Sequence, residues 1–161
     1  MSDFKAVKRS NRERLEGDLE VYEKHADDLA LRREHSDRMY EFMESQVEDI
    51  ADLERIRTAK ENADICFREA FREQVEIPTN EIKEELDKDS DELFAESRNV
   101  MGAVEIVEGH GVSDNVVSQL KSELGKSANE YQKMAQEARD TIARSDEKVN
   151  SSRLRVYGMY K

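Results

Sequence analysis

An all-α fold, an elongated antiparallel helical bundle or coiled coil of three to four long helices, is predicted by three features of the 161-residue sequence. The first is punctuation. One Pro and six Gly are too few for the frequent turns of a β-sandwich or barrel. The second is periodicity. From Leu15 the positions Leu19, Tyr22, Ala26, Leu29, Arg33, Ser36, Tyr40, Met43, Val47 and Ile50 alternate spacings of four and three, and all but Arg33 and Ser36 are apolar. That is the 3.5-residue period of a helix burying a narrow seam. The third is composition: 40% charged and 37% hydrophobic residues, against a usual apolar share of ~45–50%, suit helices that show water most of their surface. A nucleotide-binding α/β fold needs Gly-rich strand-to-helix turns, which the sequence lacks. No apolar run approaches the ~18 residues of a membrane span.

Four helices follow in order, at about 3–34, 37–76, 80–107 and 114–150. No helix breaker stands between Gly17 and Pro78, but Arg33 and Ser36 interrupt the seam. A turn at Glu34-His35-Ser36-Asp37, with Ser36 or Asp37 capping a new helix, accounts for them. The alternative is one uninterrupted helix over 3–76, in a coiled coil that joins two copies through the 15–50 seam. After Ile50 the apolar face widens over Leu53, Ile56, Ala59, Ala63, Cys66, Phe67, Ala70 and Phe71. Cys66 reads there as a small buried hydrophobe. Pro78 lacks an amide donor and crowds the preceding turn, so the second helix is expected to end before it, with Thr79 or Asn80 capping the third. Gly109-His110-Gly111 closes that helix. Ser113 reads as the N-cap of the fourth, where Ala128, Ala135 and Ala138 permit close helix approach. Asn150-Ser151-Ser152 is expected to fray. Residues 1–152 thus form one bundle domain, followed by a tail at 153–161.

The net charge of −12 is unevenly spread. Residues 1–14 carry five basic groups against two acidic, and 148–161 carry four basic groups and no acid. The body, 15–147, holds 17 basic and 36 acidic groups. Such a body repels nucleic acid and anionic membrane surfaces, so neither is an expected partner. In the tail, Arg153, Arg155, Val156, Tyr157, Met159 and Tyr160 are the candidate partner-binding residues, since Tyr and Arg dominate binding hot spots. The other reading of this segment is that it folds back onto the bundle.

Chemistry is not indicated. Di-iron bundles use Glu-x-x-His pairs, whereas Tyr22, Arg32 and Val107 stand three residues before His25, His35 and His110. Asp87-Lys88-Asp89-Ser90-Asp91 lacks the glycine and the twelfth-position Glu of a calcium loop and reads as a solvated helix face. A nucleophile requires a base within hydrogen-bond reach, and no Gly-framed Ser or Cys accompanies the scattered histidines. No catalytic, metal-binding or cofactor-binding residue is therefore assigned. The sequence points to a non-enzymatic protein–protein interaction module, an adaptor, scaffold or chaperone-like partner that acts through coiled-coil surfaces and the basic tail. A cytoplasmic setting is expected, because Met-Ser-Asp-Phe-Lys lacks the apolar run of a signal peptide. The alternative is a helical hairpin protein exported without a cleaved signal.

Overall fold

The computed structural model describes residues 2–158, and these form an all-α bundle without strands. Helix α1 spans Ser2–Ser45, α2 Ile50–Phe71, α3 Ile77–Glu108 and α4 Asp114–Val156, with a π-helical stretch at Arg72–Glu76. Among the described residues no helix is long and apolar enough to cross a membrane.

Three boundaries differ from expectation. The chain does not turn at Glu34–Asp37; α1 runs on to Ser45, and the connection falls at 46–49. Arg33 interrupts the seam without breaking the helix because its guanidinium finds partners. Its Nη1 lies 3.0 Å from Asp37 and its Nε 3.3 Å from Asp64 of α2. The cap of α2 is Asp49, whose extended backbone lets its side chain accept from the Ala51 amide.

Pro78 does not stop a helix either. Residues 50–108 are helical throughout, and the π-helical stretch sits just ahead of the proline. The Ile77 amide donates to the Arg72 carbonyl five residues back. That wider turn carries the chain past the carbonyl that the pyrrolidine ring would otherwise strike. Thr79 is consequently not a cap. It is buried within the helix, where its hydroxyl donates to the Val75 carbonyl at 2.7 Å.

The third difference is at the C-terminal end. Helix α4 continues through Asn150-Ser151-Ser152 to Val156, so the segment read as a tail begins inside a helix. Ser152 is buried, and Arg153 donates to Asn150 one turn back at 3.0 Å. The close of α3 at Glu108 and the start of α4 at Asp114 follow the Gly-His-Gly and Ser113 signals. Of the two turn glycines, Gly111 takes the positive φ of 75°.

The chain divides into two compact units, with boundaries inside the helices. The first comprises 1–16 and 83–143. Leu93, Tyr131, Met134 and Ala135 form its core, with Phe4, Phe94 and Val100 packed against them. Here α3 and α4 come close enough for side chains of one to reach the backbone of the other. Ser90 donates to the Ala135 carbonyl at 3.0 Å and Ser97 to the Ala128 carbonyl at 2.9 Å. The small residues at 128, 135 and 138 are all buried, as their spacing implied. Helix α1 runs parallel to α4 in this unit: Lys5–Glu130, Arg12–Glu137 and Glu16–Thr141 are each 125 residues apart. Lys8 reaches α3, pairing with Asp89 at 2.8 Å and with Glu92. Asp87, Lys88 and Asp91 are exposed, as a solvated face requires, but Asp89 and Ser90 are buried, Asp89 against Lys8 and Ser90 against α4. For Asp89, a lysine 81 residues away decides it.

The second unit comprises 17–82 and 144–161. Ala26, Leu29 and Ala30 of α1, Phe71 and Val75 of the α2 run, and Val149 and Val156 of α4 make its core. Helix α2 runs antiparallel to α1, joined by His25–Gln74, Arg33–Asp64 and Glu44–Arg57 contacts.

Candidate functional site

Of the residues assigned to partner binding, Arg153, Arg155, Val156 and Tyr157 are held within the second unit. Val156 is fully buried in its core. Arg153 places Nε 2.6 Å from Glu76. Arg155 forms a fork, with Nε 2.6 Å and Nη2 3.2 Å from the two Glu34 oxygens and Nη1 2.8 Å from Asp27. This charge-assisted clasp holds the Glu34 carboxyl below its ordinary pKa, chiefly through the hydrogen bonds from Arg155, and drives the Arg155 pKa up. Tyr157 sets its ring edge-on to Phe71, with centroids 6.1 Å apart, and donates its hydroxyl to Glu76 at 3.1 Å. Burial, then that bond to Glu76, raises its pKa. Of the two readings of this segment, folding back is what 153–157 do. Met159 and Tyr160 lie outside the described residues.

The end of α4 is fitted to α1. Arg33 donates to the Arg155 carbonyl at 3.3 Å, satisfying a carbonyl at the open end of the helix. Gly158 follows with φ 69°, the left-handed turn that commonly ends a helix. A side chain there is doubly refused, since a Cβ would lie 2.6 Å from the Arg33 guanidinium. Sequence reasoning missed this capping glycine, though its place just after Val156 is the usual signal.

Beside this junction lies a carboxylate pair. Asp37 takes Arg33 on Oδ2, while its Oδ1 is buried with no donor among the described residues. Burial pushes the Asp37 carboxyl up, and nearby Asp64 adds to that against the opposing pull of Arg33.

Beyond the Arg155–Glu34 pair, the rest of α1 and the start of α2, residues 35–64, continue as a hairpin past Val156, the last residue of α4. The seam changes character here. Leu15, Leu19, Ala26 and Leu29 are buried, whereas Met43 is 38% and Ile50 72% exposed. Met39 and Phe42 are also exposed, Phe42 to 61%. Short of the hairpin tip, a separate shallow apolar groove of about 350 Å³ lies between α1 and α2 at the level of residues 25–32, lined by His25, Leu29, Ala63, Cys66, Phe67 and Ala70. Cys66 is exposed in it, contrary to its reading as a core residue, because the wide apolar stripe of α2 is only partly covered.

Among the described residues no three His, Cys, Asp or Glu side chains gather to hold a metal ion. No protein-family model, curated protein or solved structure matches the chain.

Proposed function

We propose that this chain is a non-enzymatic protein–protein interaction module whose contact surface is the α1/α2 hairpin at 35–64. The observation that carries this reading is the exposure of Met39, Phe42, Met43 and Ile50 on one short hairpin. Scattered exposed apolar residues are ordinary, but several large ones gathered together are typical of a contact site. Methionine suits such a surface, being flexible and polarizable. The basic residues near the C-terminal end take a different role: Arg153 and Arg155 are engaged with Glu76, Glu34 and Asp27 and fasten α4.

The test is a photo-crosslinking amino acid placed at Phe42 and, separately, at exposed Asn129 of the first unit, each in the full chain within its native cells. A discrete adduct formed from position 42 and not from 129 supports the reading. No adduct, or the same adducts from both, overturns it.

A further inference from the structure

We propose that the α1/α2 face that continues beyond the end of α4, distinct from the groove at Cys66, seats a basic amphipathic helix from a partner protein, an inference that rests on the reading of the hairpin as a contact surface. Helix α4 itself demonstrates what this face accepts. The α1 face turned toward it carries Glu23, Asp27, Ala30 and Glu34, at spacings of four and three. Lys148 pairs with Glu23, and Arg155 with Asp27 and Glu34. Between these ion pairs Val149 and Val156 join Ala26 and Ala30 in the core. The occupant's pattern is thus small apolar residues flanked by cations.

The occupant stops at Gly158, but the face does not. The same spacing continues on α1 through Asp37, Glu41 and Glu44. On α2, steps of seven residues back from Phe71 lead to Asp64, Arg57 and Ile50, with Glu61 and Glu54 beside them. Asp37 and Asp64 are held by Arg33, and Glu44 by Arg57. Glu41, Glu54 and Glu61 have no cationic partner among the described residues. Half-buried Tyr40 and Leu53 and exposed Ile50 lie between the acids.

A helix laid on this face in line with α4 would bring Lys or Arg to Glu41, Glu54 and Glu61 as Arg155 is brought to Glu34. It would also cover the apolar floor. A second copy of this chain fits the charge poorly. It carries −12, and its own hairpin holds nine acidic against four basic groups over 35–64, so like charges would meet. The stated partner is therefore a basic helix with a 3.5-residue apolar repeat.

The experiment measures binding of a dye-labelled peptide, three repeats of Leu-Lys-Lys-Leu-Arg-Lys-Leu, to the full chain by fluorescence anisotropy. Three proteins are compared: wild type, the triple variant Glu41→Lys, Glu54→Lys, Glu61→Lys, and a charge-matched control, Asp87→Lys, Glu105→Lys, Glu123→Lys, on exposed positions of the first unit. The hairpin variant is expected to bind about tenfold or more weakly and the control within about twofold. Hydrogen exchange on the wild-type complex should show protection gathered at 37–61. Equal weakening in both variants means attraction to net charge alone and overturns the assignment, as does an absence of binding. Should the hairpin variant lose helicity by circular dichroism, Glu41→Gln and Glu61→Gln replace it, with a smaller weakening expected of each. Self-association of the wild type with protection at 37–61 would give the face to a second copy and overturn the partner helix. A Phe42 crosslink obtained without peptide binding removes the helix-seating assignment alone; loss of that crosslink removes the wider reading.

Discussion

A pair of regions, the α3/α4 contact of the first unit and the α1/α2 hairpin of the second, treat the same kind of sequence in opposite ways. In the first, polar residues are drawn inward. Asp89, Ser90 and Ser97 are buried because Lys8 and the α4 carbonyls supply their partners. In the second, apolar residues are left outside. Met43 and Ile50 continue the pattern that buries Leu19, Ala26 and Leu29, yet face water, as do Met39 and Phe42 beside them. Whether a heptad position is core or surface is settled by the presence of a neighbouring helix, not by the residue on it. A position becomes costly to change only where such a neighbour has closed over it.

Two Phe→Ala substitutions test this contrast where it is sharpest. Phe71 is fully buried in the second unit, and Phe42 is largely exposed on the same unit's hairpin. Phe71→Ala should lower unfolding stability by about 3–5 kcal/mol through lost burial and a residual cavity. Phe42→Ala should stay within about 0.5 kcal/mol. Both are read by denaturant melts followed by circular dichroism. A comparable loss at Phe42 would mean that the hairpin is covered. In the first unit, Ser90→Val forces a branched side chain into the close α3/α4 contact and removes a hydrogen bond. A loss of about 1–3 kcal/mol is expected. Tolerance of valine would show that the helices there are not held at serine distance.

These examples also show what sequence can and cannot carry. The all-helical architecture, the Gly-His-Gly turn and the small-residue face of α4 were legible because each depends on nearby residues: a period, a breaker, a spacing. The uninterrupted α1 was not, since Arg33 is held in the helix jointly by Asp37, one turn on, and by Asp64, 31 residues on. Pro78 misled for a related reason. A proline's cost falls when the turn ahead of it widens, and nothing in Arg72–Glu76 announces a π-helical stretch. At the C-terminal end the residues that matter were identified, Arg153, Arg155, Val156 and Tyr157 among them. Their partners, Glu34, Asp27 and Glu76, are scattered through a strongly acidic chain and have no local signature. A cluster of Arg and Tyr carries the same pattern whether its acceptor is another protein or another part of the same one.

Arg155 supplies a smaller and pH-dependent test of that clasp. Arg155→Ala should cost about 1 kcal/mol at neutral pH, modest because the pair is partly open to solvent. The carboxyl of Glu34 is depressed in the folded state. Its contribution is therefore complete above the ordinary glutamate value and is lost as pH falls through the depressed one. The stability gap between wild type and Arg155→Ala should accordingly shrink in acid. A gap that is constant from pH 7 to pH ~2.5 would mean that the arginine acts through packing of its stem instead.

The smallest effect expected has the opposite sign. Asp37 is raised by burial and by Asp64 despite the pull of Arg33, so its charged form is held at a net cost. For a carboxyl raised in the folded state, that cost is complete above the raised value and vanishes below the unfolded one. Asp37→Asn keeps the shape, removes the charge beside Asp64, and leaves Arg33 its second carboxylate. The variant should therefore be slightly more stable than wild type at pH 7, by no more than about 0.5 kcal/mol, and equal to it near pH ~3.5. Paired denaturant midpoints at the two pH values measure it. A variant less stable at pH 7 would show that Arg33 needs both carboxylates to hold the Arg155 carbonyl. The junction would then depend on the full charge cluster rather than on Asp64 alone.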